Sequence, residues 1–177
     1  KYHADSRKPK VEFSSTIDGD LARRDFTINA MALALSEDSP EVIDPHGGLE
    51  ALAGKSVATL HSGSFADDPT RRLRAVRYER RLGFQITGDT LSQMQQAIND
   101  GHVDLVSGDR WRQEFQKIFE EDRAAEMLLR SVELGVLAAI YPALTDGQRL
   151  TRLAGENGLG PIDYLAALAV SLSPADG

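Results

Sequence analysis

Residues 67–81 read Asp-Asp-Pro-Thr-Arg-Arg-Leu-Arg-Ala-Val-Arg-Tyr-Glu-Arg-Arg, and this run limits what the chain can become. Drawn on a helical wheel, Arg71, Arg74, Arg77 and Arg81 fall within about 120° of one another, with Arg80 just outside. Between residues 67 and 84 there are six arginines against two aspartates and one glutamate, a local charge of +3. The chain as a whole carries -7, so the remainder carries -10. A basic stripe kept on an acidic background points to a site for an anion, not to general adhesion to nucleic acid. The competing reading is a solvated face of surface ion pairs. Like charges this close repel, and few acids stand nearby in sequence, so an external triphosphate or RNA backbone fits better.

The start of this helix is also specified. Asp68 is expected to cap it, with Pro69 at the first helical position. Asp68 and Arg71 are three apart and rise on one edge of the first turn. A carboxylate accepts from an exocyclic amino group, and a guanidinium donates to the ring nitrogen beside it. Cytosine and adenine offer that edge; uracil and guanine do not. The pair therefore predicts selection of C and A.

The 177 residues allow one substantial domain or two small ones. Apolar content of 41% and charged content of 27% are those of a globular protein. No apolar run reaches the roughly 18 residues that span a bilayer, and a cytoplasmic location is expected. The absence of cysteine excludes disulfides and thiolate metal sites, and His3, His46, His61 and His102 form no zinc-like spacing. A pI near 5.1 argues against non-specific DNA coating.

Residues 1–10 are polar, open without Met, and read as the tail of an earlier element. Residues 18–25 are expected to form a short helix capped by Asp18 with Leu21 inward. Residues 28–35 and 42–44, around the turn signal at 36–40, read as a β-hairpin. Asp44-Pro45-His46-Gly47-Gly48 reads as a tight structural turn with His46 exposed; the alternative is an active-site turn, since paired glycines allow positive φ and close backbone approach. A short helix to Ala53 closes on Gly54, and residues 57–60 suit a strand.

From Asp67 onward the pattern is helical. Leu91, Met94 and Ile98 repeat at helical spacing before Gly101, a left-handed cap position. Trp111, Phe115, Ile118 and Phe119 form a second stripe, with Arg110 and Glu114 expected on its outer side. A helix over 123–134 ends at Gly135, glycines loosen 145–160, and an apolar helix follows over 162–172. The outline is α+β: a mixed portion over 1–66, then an all-helical portion over 67–177.

A second unusual stretch is Arg23-Arg24-Asp25-Phe26-Thr27-Ile28-Asn29-Ala30-Met31, with Asn29 just inside an apolar strand. An arginine there can clamp phosphate, and Asp25 or Asn29 can hold a ribose hydroxyl. The alternative is a helix-terminal ion pair and an asparagine bonded to backbone.

Four motifs in this order resemble the class II tRNA nucleotidyltransferase and poly(A) polymerase family. They are the Arg23–Met31 stretch, the Asp-Pro-x-Gly-Gly turn, the Asp67-Asp68-Pro69-x-Arg71-x-x-Arg74-x-x-Arg77 helix followed by Leu82-Gly83-Phe84, and Ser107-Gly108-Asp109-Arg110 with Glu114. The likeness runs over residues 2–144, and Asn29-Ala30-Met31-Ala32 is closer to the tRNA enzymes than to bacterial poly(A) polymerases. It implies part of a polymerase-β-like nucleotidyltransferase head with a mixed sheet (1–66), then a helical neck and the start of the body (67–177). The implied activity is template-independent addition of C and A to the tRNA 3′ end, using CTP, ATP and two Mg²⁺. By similarity Arg24 contacts the incoming nucleotide, Asp25 and Asn29 hold the sugar and shape the pocket, and Asp68 and Arg71 are the protein template. Arg74 and Arg77 hold phosphates or support the pocket, and residues 107–114 brace neck against head. Asp67 departs from the glutamate common in the family.

The resemblance also exposes a gap. The Gly-Gly…Arg-Asp stretch and the metal-binding Asp-x-Asp that two-metal transfer requires do not occur in these 177 residues. Asp18-Gly19-Asp20 has the spacing but stands at a helix start directly before the Arg-Arg-Asp element. The expectation is a fragment that holds nucleotide-selecting residues, with Mg²⁺ ligands outside it. The alternatives are a poly(A) polymerase of the same family, or a non-catalytic RNA-binding module.

Overall fold

The computed structural model describes residues 16–35, 39–101, 106–145, 147–154, 156 and 159–171. The expected tail at 1–10, turn residues 36–38, His102 and Leu172 lie outside them. The first portion holds helix α1 (Ile17–Leu21), a 3₁₀ turn (Thr27–Asn29), strands β1 (Ala32–Ala34) and β2 (Glu41–Ile43), helix α2 (Gly48–Ala53), strand β3 (Ser56–Val57) and helix α3 (Ser64–Asp67). Then come α4 (Arg71–Leu82), β4 (Gln85–Ile86), α5 (Gly88–Asn99), α6 (Gly108–Phe119), α7 (Ala124–Glu133), α8 (Val136–Ile140), α9 (Gln148–Leu153) and α10 (Pro161–Ser171). β1 and β2 form the expected antiparallel hairpin, with Leu33 opposite Val42. β3 pairs in parallel with β4. The α+β class with a helical second portion is as expected.

Several local details differ. Thr16, not Asp18, caps α1: it is extended (φ -131°, ψ 150°) and accepts from Gly19 N, while Asp18 lies inside the first turn. Asn29 sits in the 3₁₀ turn and not in a strand, because pairing begins only at Ala32. Asp25 captures the Phe26 N–H and the Asn29 side chain, and such local side-chain bonds compete with ladder pairing. Helix α4 starts at Arg71, two residues after Pro69. Asp68 instead accepts from Thr70 N and Oγ1, a turn that ends α3 and aims the chain into α4. Strand β4 interrupts the helical portion, and α9 forms inside the glycine-rich segment.

Helix α4 is the central element. Leu73, Ala75 and Val76 are fully buried and join one core with Phe26, Val57, Phe65, Met94, Ile118 and Leu128. It packs against α3, β3, β4, α6 and α7, so both portions of the chain meet on it. Arg72 is fully buried as well. Its Nη2 donates to Ala97 O at 3.4 Å, in the last turn of α5, where helix carbonyls favour a cation. Burial pushes its pKa down. The α5 stripe ends as expected at Gly101, φ 72°.

The Asp-Pro-His-Gly-Gly turn is held by Asp44, which accepts from Gly48 N at 2.6 Å and Leu49 N at 2.9 Å. Those bonds hold the Asp44 carboxyl below its ordinary value. A Cβ on Gly48 would lie 2.5 Å from Thr27 O and from Met31 Cγ, whereas one on Gly47 (φ 72°) meets nothing within 4 Å. Gly48 thus lets α2 lie against the 3₁₀ turn that carries Asn29. In the intact protein, Gly48→Ala is expected to cost about 2 kcal/mol, the usual order for overpacking against an unyielding backbone atom. Gly47→Ala should cost about 1 kcal/mol, for left-handed strain alone. Chemical denaturation of both variants checks the order; equal losses would contradict it.

Candidate functional site

Beside the first turns of α4 lies an open polar cavity of about 420 Å³. The loop after α1 contributes Arg23, Arg24, Asp25 and Asn29. The opposite side is formed by Asp68, Arg71, Arg74 and Tyr78. Four arginines face two aspartates, so the lining carries a net charge of +2. That balance attracts an anion.

Arg74 is the centre of this arrangement. Its Nε donates to Asp25 Oδ2 at 2.8 Å, and Nη2 donates to the same oxygen. Asp25 Oδ1 accepts from Phe26 N and from Asn29 Nδ2, each at 3.0 Å. Burial pushes the Asp25 carboxyl up, but the Asn29 hydrogen bond and the Arg74 charge outweigh it, and the net shift is downward. Glu114 on α6 lies 3.7 Å from Arg74 Nη1. Burial lowers the Arg74 pKa, and Asp25 and Glu114 together raise it further than burial depresses it.

Arg71 ties three segments together. Its Nη1 donates to Ser64 Oγ at 2.8 Å and Ser64 O at 3.3 Å, and its Nη2 to Arg23 O at 3.0 Å. Asp68 Oδ2 accepts from Arg110 Nη2 at 2.7 Å. Arg23 and Arg24 both pair with Asp20, and their side chains are about half exposed (48% and 52%). These are helix-terminal ion pairs, the kind the alternative reading of this stretch gives, made with Asp20 at the cavity mouth. Such exposed pairs are weak and readily exchanged for an incoming anion.

The arginine stripe divides in space. Arg71 and Arg74 face the cavity, whereas Arg77 is buried, lies over the Tyr78 ring at 5.3 Å and pairs with Glu121 Oε1 at 3.4 Å. Arg81 reaches the same oxygen at 3.4 Å. The expected scarcity of acids is therefore corrected: Asp25, Glu114 and Glu121 arrive from distant segments and neutralise much of the local charge. Arg110 and Glu114 do not lie on the outer side of α6. Glu114 is buried and reaches Arg74 on α4, and Arg110 reaches Asp68 in the turn before α4, because those polar side chains need partners there. Sequence reasoning missed Tyr78 as a lining residue, although it stands i+7 from Arg71 and i+4 from Arg74 on one helical face. Nothing local in the sequence marks Glu121.

Among the described residues no group of three or more His, Asp or Glu could hold a metal ion. Asp20 is engaged by two arginines, so the Asp18-Gly19-Asp20 spacing does not fit a divalent ion. No helix among the described residues is long and apolar enough to cross a membrane.

Residues 1–58 match the family model of the poly(A) polymerase head domain. Residues 83–147 match that of a probable RNA- and SrmB-binding site of polymerase A. The fold superposes on that of a CCA-adding enzyme solved with ATP, with a TM-score of 0.78, 37% identity, 92% of this chain and 41% of that one covered. The chain belongs to the class II tRNA nucleotidyltransferase and poly(A) polymerase family. An A-adding tRNA nucleotidyltransferase of Geobacter sulfurreducens is 40% identical over 144 residues, which are 81% of this chain and 16% of that protein. A multifunctional CCA protein of Chromobacterium violaceum is 40% identical over 128 residues, 72% of this chain and 30% of that protein. The chain thus spans under a third of the length of these two relatives.

The Asp25 pair carries a pH signature. Its folded pKa lies below the ordinary aspartate value of about 3.9, so its stabilisation is present above that value and is lost as pH falls below it. Asp25→Asn in the intact protein is expected to cost about 3 kcal/mol at pH 7, the order for a buried pair that loses one partner. Denaturation at pH 7 and pH 3 should show that penalty shrinking in acid. A penalty independent of pH would mean that the Asp25 charge is not its source.

Proposed function

We propose that the intact protein is a template-independent RNA nucleotidyltransferase that adds C, A or both to the tRNA 3′ end in the cytoplasm. The observation that carries this reading is the cavity itself: Arg24, Asp25, Asn29, Asp68, Arg71 and Arg74 come from segments far apart in sequence and line one basic opening. Residues 1–66 supply part of the head, and 67–177 the helical neck and start of the body.

In this reading Asp68 and Arg71 read the base. Arg71 is anchored through Ser64 and Arg23, so its remaining donors keep a fixed direction toward the ring nitrogen of C or A. Arg24 is exposed at the mouth and meets the incoming CTP or ATP. Both Asp25 oxygens are occupied, so Asp25 shapes the pocket while Asn29, held through its Nδ2, turns its Oδ1 to the sugar. Arg74 sits where it can support phosphates, and Arg77 supports α4 from behind. Mg²⁺ stabilises the leaving pyrophosphate and the attacking hydroxyl in such transfers. The described residues offer no set of carboxylates for it, and the reading assigns its ligands to the rest of the protein. The likeness to an enzyme solved with ATP and to A-adding and CCA-adding relatives supports the choice of substrates.

The test is nucleotide addition by the intact protein to tRNA lacking its 3′ end. CTP, ATP or both should be used, and this chain alone should be inactive. Arg71→Ala is expected to lower the preference for CTP and ATP over UTP and GTP by about tenfold or more, the order for losing one arm of a paired base contact. An unchanged preference would remove Arg71 from base reading. Long tails made from ATP alone on any RNA would identify a poly(A) polymerase instead.

A further inference from the structure

We infer that Arg110 of α6 determines which base edge the site accepts, acting as a positioning residue through Asp68. The inference rests on the reading of Asp68 and Arg71 as the base-reading pair. An ionised carboxylate offers about four acceptor positions. Thr70 N and Oγ1 fill those of Asp68 Oδ1, at 3.0 Å and 2.7 Å. Arg110 Nη2 fills one on Oδ2 at 2.7 Å. Among the described residues a single acceptor position is left, on Oδ2.

That single position makes the carboxylate a fixed reader. An exocyclic amino group delivers one N–H to it while the neighbouring ring nitrogen meets Arg71. The edges of uracil and guanine bring a carbonyl oxygen there, so two acceptors face each other with no proton between them. Without Arg110, Oδ2 gains a second open position and can hold a water. Such a water donates to a carbonyl as readily as it accepts from an amine, and the distinction weakens. The contact is part of a built surface. Arg110 and Glu114 stand i, i+4 on α6 and present plus and minus to the minus and plus of Asp68 and Arg74. Glu114 reaches Arg74, not the base-reading carboxylate, so the two positions have separable consequences.

The experiment measures kcat/KM of the intact protein for CTP, ATP, UTP and GTP on tRNA acceptors. Arg110→Gln should reduce the preference for CTP and ATP over UTP and GTP by about tenfold. Arg110→Lys keeps the charge without the planar fork and should recover part of it, leaving a loss of about threefold. Glu114→Gln should change all four values together and leave the preference unaltered. A brace with only a structural role predicts that Arg110→Gln also lowers all four together; that result overturns the inference. Should Arg110→Gln fail to fold, Arg110→Lys decides alone, an unaltered preference overturning the inference. Asp68→Ala separates the two readings. If it keeps the preference, the base-reading pair itself is wrong; if it loses it while the Arg110 variants do not, only the role of Arg110 fails.

Discussion

A buried carboxylate with every acceptor in use and a guanidinium on the central helix meet across 49 residues of sequence. The Asp25–Arg74 contact fixes the loop after α1 against α4. Once it is made, Asn29 and Arg24 have a defined distance from Arg71, and Phe26 enters the core edge-on to Tyr78 with ring centroids 5.7 Å apart. Removing Arg74 would leave Asp25 a buried charge without a counter-ion, and removing Asp25 would leave Arg74 with Glu114 alone at 3.7 Å. The cavity is in this sense a by-product of one ion pair, with the other lining residues arranged around it.

The second organising surface is α6. Its apolar stripe, Trp111, Ile118 and Phe119, is buried in the shared core, and its polar residues Arg110 and Glu114 reach across to the start of α4. A helix that serves the core on one side and the site on the other couples packing to chemistry. It gives physical content to the brace that the family resemblance implies.

Much of this was legible in the chain. The stretch of α4, the hairpin, the Asp44 turn, the α5 stripe ending at Gly101 and the α6 stripe all follow from local spacing, because their stabilising contacts lie within a few residues. What stayed hidden depends on tertiary partners. A wheel places Arg71, Arg74, Arg77 and Arg81 on one arc, but it cannot show that Glu121 sits beside half of that arc while the cavity opens beside the other half. The same blindness put Arg110 and Glu114 on the outside, since an i, i+4 pair of opposite charges looks complete by itself. The Asp68 turn was misread for a smaller reason: Asp before Pro suits a cap and an Asx-type turn equally, and Thr70 decides between them.

The separation between the arginines and their acids also bears on how the chain reaches its fold. Helix α4 can form from its own residues in well under a millisecond, but Asp25, Glu114 and Glu121 reach it only after loops of 40 residues or more have closed. Until then α4 carries six arginines with Glu79 as its only acid, a segment of strong positive charge. Closing those loops sets Asp25 and Glu114 against Arg74 and Glu121 against Arg77 and Arg81, so the self-repulsion of the helix is relieved only as the site assembles.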